Sequence, residues 1–267
     1  MILDELALLS KKRIDAQKEI ISMAAVMEET ERLMENERRN KELGPVFEFE
    51  KALSKKGLSV ISEVKKASPS KGVIAEDFPY LDIALEYERS GADAVSCLTE
   101  PDRFKGSDEY LKDIAARVDI PVLRKDFTID PYMIYQAKLM GAQAVLLIAA
   151  ILSNDQLSEY FALADRLGLS CLFEAHDGEE VRRCLACGAR ILGVNNRNLK
   201  DFSVDINNSV RLRELVPSGV IFVSESGIEK PEDVKILKDN GTDAVLVGEM
   251  LMRSPDKGEL IRRIKEL

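Results

Sequence analysis

The sequence predicts an α/β fold, a closed (β/α)8 TIM barrel with an N-terminal helical extension, from three observations. One short pattern recurs along the chain, apolar runs alternate with helical patterns, and 267 residues suit one barrel. The recurring pattern is the end of a helix, a glycine and an apolar run. It reads GADAVSCL from Gly91, GAQAVLLI from Gly141, GARILGVN from Gly188 and GTDAVLVG from Gly241, with GLSCLFEA from Gly168 a looser copy. Glycine suits the left-handed position that ends a helix. The apolar run after it reads as a strand covered on both faces.

Strands are expected at residues 58–65, 94–98, 121–125, 144–148, 171–175, 191–195, 221–224 and 244–247. Between them lie helical patterns such as LDIALEYERSG, NDQLSEYFALADRLG and KPEDVKILKDNG. Strict alternation requires parallel pairing through right-handed crossovers, and eight units suggest closure. An open doubly wound sheet would carry a glycine-rich loop after its first strand, where this chain reads ISEVKKASPSKG.

Ahead of the first strand, ILDELALLSKKRIDAQKEI and EETERLMENERRN read as two charged helices. A membrane-surface helix needs a basic polar face. These helices mix both signs, so they are expected to pack on the barrel. Residues 46–57 are read as a lead into strand one. The chain is therefore read as one domain, residues 1–267, with the extension at 1–45 and the barrel at 58–267.

Composition narrows the function. Apolar residues make up 45% and charged residues 32%, and 38 basic against 47 acidic side chains give a net charge of −9. That balance, without a basic stripe, argues against nucleic acid or an anionic membrane as partner. It permits a small phosphorylated substrate, held by local cations and backbone amides. No run approaches the roughly 20 apolar residues of a membrane span. The opening MILDELALLSKKR lacks a signal core, so a cytoplasmic location is expected. Of the cysteines Cys97, Cys171, Cys184 and Cys187, the last two form a lone CxxC inside the helical pattern EEVRRCLACG. A metal or redox site would ordinarily bring a second pair. The cysteines are expected to be small apolar packing residues, and no metal is expected.

Barrel enzymes carry their chemistry where strands end and βα loops begin. Here those positions hold Glu63, Lys65 and Ser68 after strand one, Lys125 and Asp126 after strand three, and Glu174 after strand five. Asn195 and Arg197 follow strand six, Glu225, Ser226 and Gly227 strand seven, and Gly248 and Glu249 strand eight. Glu63 and Lys65, two apart, share a strand face, with Ile61 beneath them if that face points inward. Charges in a barrel mouth need partners. Three glutamates against two lysines and an arginine supply them, as a neutralised plug or as a reaction centre. The turns Ser226-Gly227-Ile228 and Gly248-Glu249, after strands seven and eight, suggest a phosphate site built from backbone N–H groups, with Ser68 adding a hydroxyl. Glu249 fits such a site only through its amide, with its carboxylate turned away.

The strings SEVKKASPSKG, VSCLTEPDRFKGS, VLRKDF, LFEAH, GVNNRNL, VSESGI and VLVGEMLMR occur in this order. Together they resemble the indole-3-glycerol-phosphate synthase family across the barrel, and the charged extension is similar too. The resemblance implies conversion of 1-(o-carboxyphenylamino)-1-deoxyribulose 5-phosphate to indole-3-glycerol phosphate, with loss of CO2 and water. It implies no cofactor, a role in tryptophan biosynthesis and association with other enzymes of that route.

By the same resemblance Lys125 is the general acid and Glu174 the base. Lys65 holds the substrate carboxylate or protonates the departing hydroxyl. Glu63 orients the lysines, while Asn195 and Arg197 hold substrate or support the lysines. Glu225 and Ser226 are a supporting pair, and Ser68, Gly227 and Gly248 contact phosphate. Phe104, Phe127 and Leu146 are expected around the anthranilate ring, Leu146 serving equally well as plain core. The only histidine, His176, matches no catalytic position and is read as a loop residue. The family often has serine where this chain has Glu249, which touches phosphate affinity rather than ring closure. Rival readings are a Schiff-base aldolase using Lys65 or Lys125, a metal-dependent lyase using Glu63, Glu174 and Glu225, and a non-catalytic binding barrel.

Overall fold

Eight parallel strands close into a barrel in the computed structural model, which describes residues 2–40, 47–198 and 201–267. Outside it lie residue 1, residues 41–46, which end the expected extension and begin the lead-in, Leu199 of the GVNNRNL string, and Lys200. The barrel strands are β1 (Ser59–Val64), β2 (Ala94–Leu98), β3 (Val122–Lys125), β4 (Ala144–Ile148), β5 (Ser170–Ala175), β6 (Ile191–Asn195), β7 (Ile221–Glu225) and β8 (Ala244–Val247). Each pairs with the next, and β8 returns to β1.

The helices are α1 (Ile2–Ile20), α2 (Met23–Asn40), α3 (Glu48–Leu53), α4 (Tyr80–Arg89), α5 (Asp108–Ala115) and α6 (Pro131–Leu139). They continue with α7 (Asn154–Arg166), α8 (Gly178–Ala186), α9 (Asn207–Leu212), α10 (Pro231–Asp239), α11 (Glu249–Arg253) and α12 (Lys257–Glu266). The repeat glycines Gly91, Gly141, Gly168, Gly188 and Gly241 all take positive φ, between 72° and 92°. This left-handed residue turns the chain from helix into strand, and a β-carbon there would be strained.

Strand alternation sorts the core into two layers. Ile61, Ala94, Leu123, Ala144, Leu172, Ile191, Val223 and Ala244 fill the barrel interior. Val60, Val95, Val122, Val145, Phe173, Leu192, Phe222 and Val245 face outward into the packing against the helices. At the top of the interior column the same alternation puts Glu63 above Ile61. Cys97, Cys171 and Cys184 are buried, and the first two lie on strands among the outward-facing apolar side chains. Among the described residues no group of three or more His, Cys, Asp and Glu is arranged to hold a metal ion.

The extension folds as helices on the barrel. Arg13 of α1 donates to Asp126 at 2.7 Å, Lys18 to Asp130 at 2.6 Å, and Arg103 pairs with Glu5. Ile14 and Val26 pack with Tyr132 and Met133 of α6, and Lys138 of α6 reaches Glu37 of α2 at 2.8 Å. None of the described helices is long and apolar enough to cross a membrane. Two features were not read from the sequence. Helix α3, within the expected lead-in, inserts fully buried Phe49 and Leu53 into the interior cluster. The loop after β1 folds back as a small antiparallel pair, Ala67–Ser68 with Gly72–Val73.

Candidate active site

A cavity of about 500 Å³ opens at the C-terminal end of the strands. Every residue given a site role from the sequence lines it: Glu63, Lys65, Ser68, Phe104, Lys125, Phe127, Leu146, Glu174, Asn195, Arg197, Glu225, Ser226, Gly227, Ile228, Gly248 and Glu249. Parallel register brings them together. Leu98 is level with Lys125, Ile148 with Glu174, Glu174 with Gly193, and Asn195 with Glu225.

At its floor lies a buried charge cluster. Lys125 Nζ is 3.2 Å from Glu174 Oε2 and 3.5 Å from Glu225 Oε2. Asn195 Nδ2 donates to Glu174 Oε1 at 3.2 Å. Across the barrel Lys65 Nζ meets Glu63 Oε1 at 2.6 Å, and Ser96 Oγ donates to Glu63 Oε2 at 3.4 Å. The arginine expected among these carboxylates is elsewhere. Arg197 donates through its backbone N–H to Asn195 Oδ1 at 3.0 Å and through its guanidinium to Phe202 O at 3.3 Å. Asp126, beside Lys125 in sequence, also borders the cavity, and its carboxylate ties α1 to the barrel through Arg13.

The titration of the cluster follows from burial and separation. Burial alone would lower the Lys125 pKa, but Glu174, Glu225 and Glu63 outweigh it and hold the ammonium above its ordinary value. Burial pushes Glu174 up, yet Lys125, His176 and the hydrogen bonds from Asn195 and Lys125 draw it below the usual carboxylate range. Glu225 goes the other way. Burial first and the Glu174 charge second lift it to about 8, against the pull of Lys125. Near neutral pH the cluster therefore holds one ammonium, one carboxylate and one neutral carboxyl. Lys125, Glu174 and Glu225 reach neutrality by keeping one proton on Glu225, the outcome expected when like charges share a dry site.

Glu225 also explains a glycine that the sequence reading passed over. A β-carbon on Gly193 would stand 2.1 Å from Glu225 Oε1. Gly193 thus leaves the room in which that carboxyl sits. Gly248 does the same for the other pair, since its β-carbon would lie 2.5 Å from Glu63 Oε1 and 2.8 Å from Lys65 Nζ.

Folding takes up a proton at Glu225 between its ordinary 4.5 and its folded value of about 8. Its contribution to stability is therefore complete below the lower value and lost as pH rises through the upper one. Glu225→Gln keeps the shape and removes the titration. The decline in Tm from about pH 5 to about pH 8 should be shallower in the variant, by roughly 2–4 °C for each kcal/mol that the titration contributes, read by thermal unfolding at each pH. Parallel declines would show that Glu225 does not hold the proton.

Apolar and polar walls complete the cavity. Phe104 and Phe127 stand with ring centroids 6.1 Å apart, beside Leu146, which is both a cavity wall and part of the interior cluster. Leu3 and Leu6 of α1 roof this side, which local sequence patterns did not reveal. Opposite, Ser226 takes a positive φ of 65° and precedes Gly227 in the turn after β7. Buried Asn196 fixes that turn. Its amide donates to Ser224 Oγ and Ser226 O at 3.0 Å, and its Oδ1 accepts from the N–H and hydroxyl of Ser209. Ser68 is brought to the same wall by the small β-pair. The Glu249 carboxylate is engaged by Arg253 at 3.0 Å and lies 4.0 Å from Lys71 Nζ. His176 is a loop residue, as read, but not an idle one. Its Nδ1 lies 3.1 Å from Glu180 Oε2 and its Nε2 3.5 Å from Glu174 Oε1.

Comparison with known proteins agrees with the fold. The chain superposes on a thiamine phosphate pyrophosphorylase from Pyrococcus furiosus with a TM-score of 0.60 at 17% identity, covering 81% of this chain and 96% of that one. It superposes on KGPDC from Streptococcus mutans with a TM-score of 0.61 at 10% identity, covering 79% and 97%. These distant likenesses concern the barrel alone. Sequence goes further. An indole-3-glycerol phosphate synthase of Ruminiclostridium cellulolyticum is 55% identical over 99% of both chains. Another from Endomicrobium trichonymphae is 51% identical over the full length of both, and one from Lacticaseibacillus paracasei is 50% identical over 100% of this chain and 99% of that one. The family described as indole-3-glycerol phosphate synthase matches residues 3–264. With that span matched and half the residues shared along the whole length, the chain belongs to the indole-3-glycerol phosphate synthase family.

Proposed function

We infer that this chain closes the indole ring of indole-3-glycerol phosphate. It acts on 1-(o-carboxyphenylamino)-1-deoxyribulose 5-phosphate, releases CO2 and water, and serves tryptophan biosynthesis. The observation that carries the reading is a charged Lys125, held between Glu174 and Glu225, beside an apolar slot formed by Phe104, Phe127 and Leu146.

Ring closure needs an acid, because attack by the aryl carbon leaves negative charge on the ketone oxygen. Lys125 supplies that proton, and its carboxylate neighbours keep it charged despite burial. Loss of CO2 restores conjugation to the ring. Water then leaves when Lys65 protonates the hydroxyl and Glu174 removes a proton from the substrate. Glu174 stays ionised for this task, and Asn195 holds the oxygen that Lys125 does not face. Glu63 orients Lys65 at 2.6 Å. Arg197 holds substrate, while Glu225 and Ser226 support the floor and the turn. No cofactor takes part.

The phosphate binds between Ser68, the Ser226-Gly227-Ile228 turn and Gly248, through hydroxyl and backbone N–H groups. Glu249 offers only its amide there, its carboxylate being occupied by Arg253. The same reading places the protein in the cytoplasm and in association with other enzymes of the tryptophan route. It takes its support from the family and from a described chain without a membrane-crossing helix.

The test is to mix the purified chain with that substrate, in the presence of a chelator, and follow indole fluorescence and CO2. Both should rise in equal amounts, over a low background because the chain contains no tryptophan. Binding without turnover would instead support a non-catalytic barrel. Borohydride trapping or chelator sensitivity would favour the aldolase or the metal-dependent lyase.

A further inference from the structure

A second cavity, of about 520 Å³, lies beside the first and shares Leu3, Asn195 and Arg197 with it. His176 and Glu180 line this second cavity and are absent from the lining of the first. The His176 ring spans the wall between the two. Its Nδ1 faces Glu180 at 3.1 Å on the cavity side, and its Nε2 faces Glu174 Oε1 at 3.5 Å on the reaction side. Glu174 in turn shows its other oxygen to Lys125 at 3.2 Å. Asn208 Nδ2 donates to the His176 carbonyl at 3.0 Å, and the His176 N–H donates to Glu180 at 2.8 Å, so the loop is held at both ends. The contacts form one file: Glu180, His176, Glu174, Lys125.

The chemistry of the reaction gives that file a task. Conversion of a substrate carboxylate to neutral CO2 consumes one proton. On the reading above, Lys125 gives one proton to the ketone oxygen, Lys65 gives one to the departing hydroxyl, and Glu174 takes one back. Two are given and one returned, so one proton per turnover must enter from solvent. Lys125 spends its proton first, before Glu174 has gained any, while bound substrate fills the cavity above it.

We propose that His176 is the proton relay that recharges Lys125, drawing on solvent at the second cavity. The Nε2–H bond of the imidazolium breaks and its proton passes to Glu174 Oε1. A turn of the carboxyl presents the proton to the neutral Lys125 amine, restoring the ammonium and the Glu174 carboxylate. The neutral imidazole then takes a proton from the second cavity, and the proton that Glu174 later removes from the substrate returns to Lys65, which closes the cycle with one proton drawn from solvent. The inference rests on the roles assigned to Lys125 and Glu174.

The surroundings favour a charged resting state for His176. Burial would lower its pKa, but the Glu180 hydrogen bond and the charges of Glu174, Glu180 and Glu225 raise it overall. The other charged groups nearby are Asp177 at the start of α8, Lys125 behind Glu174, and Arg197. Asp205 and Arg211 complete the set and pair with each other at 3.0 Å.

Two variants test the relay. His176→Ala, with folding checked by thermal unfolding, should lower kcat at least about tenfold with KM little changed. Added imidazole should restore turnover in a concentration-dependent way, whereas a bulky buffer of similar pKa should not. Glu180→Gln removes the strongest support for the imidazolium, so the alkaline fall in kcat should begin at lower pH than in the wild type. Unchanged turnover in His176→Ala, a loss that imidazole does not relieve, or an unmoved alkaline limb in Glu180→Gln would overturn the proposal. Turnover persisting in Lys125→Ala would instead overturn the underlying roles, whatever His176 does.

Discussion

Lys125→Ala is expected to lower kcat by roughly a thousandfold while KM stays within severalfold, because a proton given only in the transition state contributes to rate rather than to binding. The structure makes the loss specific. The ammonium is the cation nearest Glu174 and Glu225, at 3.2 and 3.5 Å. Its removal breaks a buried ion pair, which ordinarily costs about 3–5 kcal/mol, and leaves Glu174 with only His176, at 3.5 Å, as an ion-pair partner among the described residues. Glu225 already carries a proton near neutral pH, and without Lys125 both carboxyls should protonate, so part of that cost is avoided. Lys125→Met, closer in volume, separates the two effects. It should recover stability relative to Lys125→Ala and recover no activity. Steady-state kinetics beside thermal melts would check this, and turnover within tenfold of wild type in either variant would remove Lys125 from the chemistry.

Glu174→Gln is expected to lower kcat by roughly 10²–10⁴-fold, the range for loss of a general base. The amide keeps the shape and can still accept from Asn195, but it takes no proton from the substrate. The fold should survive for a reason visible in the cluster. The Glu174 charge is the second cause, after burial, that raises Glu225 to about 8. Removing that charge lets Glu225 ionise and become the counter-ion of Lys125. One carboxylate thus replaces another, and the net charge of the site is conserved. A near-normal melting temperature with a collapsed kcat is the expected pair of results. A kcat near that of the wild type would show that dehydration uses another base.

Much of this was legible in the chain because the barrel repeats a local signal. A helix end, a left-handed glycine and a β-branched run identify a strand to within a residue. The fifth strand, read at 171–175, is observed at Ser170–Ala175, and the sixth, read at 191–195, at Ile191–Asn195. Parallel register then gathers the charged strand ends without further information, which is why Lys125, Glu174 and Glu225 were found together.

What escaped depends on contacts between distant segments. The clasp of Arg13 on Asp126 joins residues 113 apart, and no periodicity encodes it. Helix α3 is six residues long, too short for a helical pattern to stand out, yet Phe49 is wholly buried under the barrel. Gly193 resembled an ordinary strand residue until the Glu225 carboxyl was seen against it. Which carboxyl keeps a proton depends on burial and on separations of a few ångströms, and residue types alone do not carry that. The same holds for His176, whose meaning comes from the two carboxylates on either side of it.

The central claim is a division of labour, with Lys125 acting at ring closure and Glu174 at the later loss of water. A rapid-quench single turnover of Glu174→Gln, scored for CO2 and for indole in the same samples, tests it most directly. The account predicts about one equivalent of CO2 released well ahead of indole, since closure and decarboxylation need only Lys125. CO2 and indole appearing together at one slowed rate would contradict it, because Glu174 would then be required before the carboxylate departs.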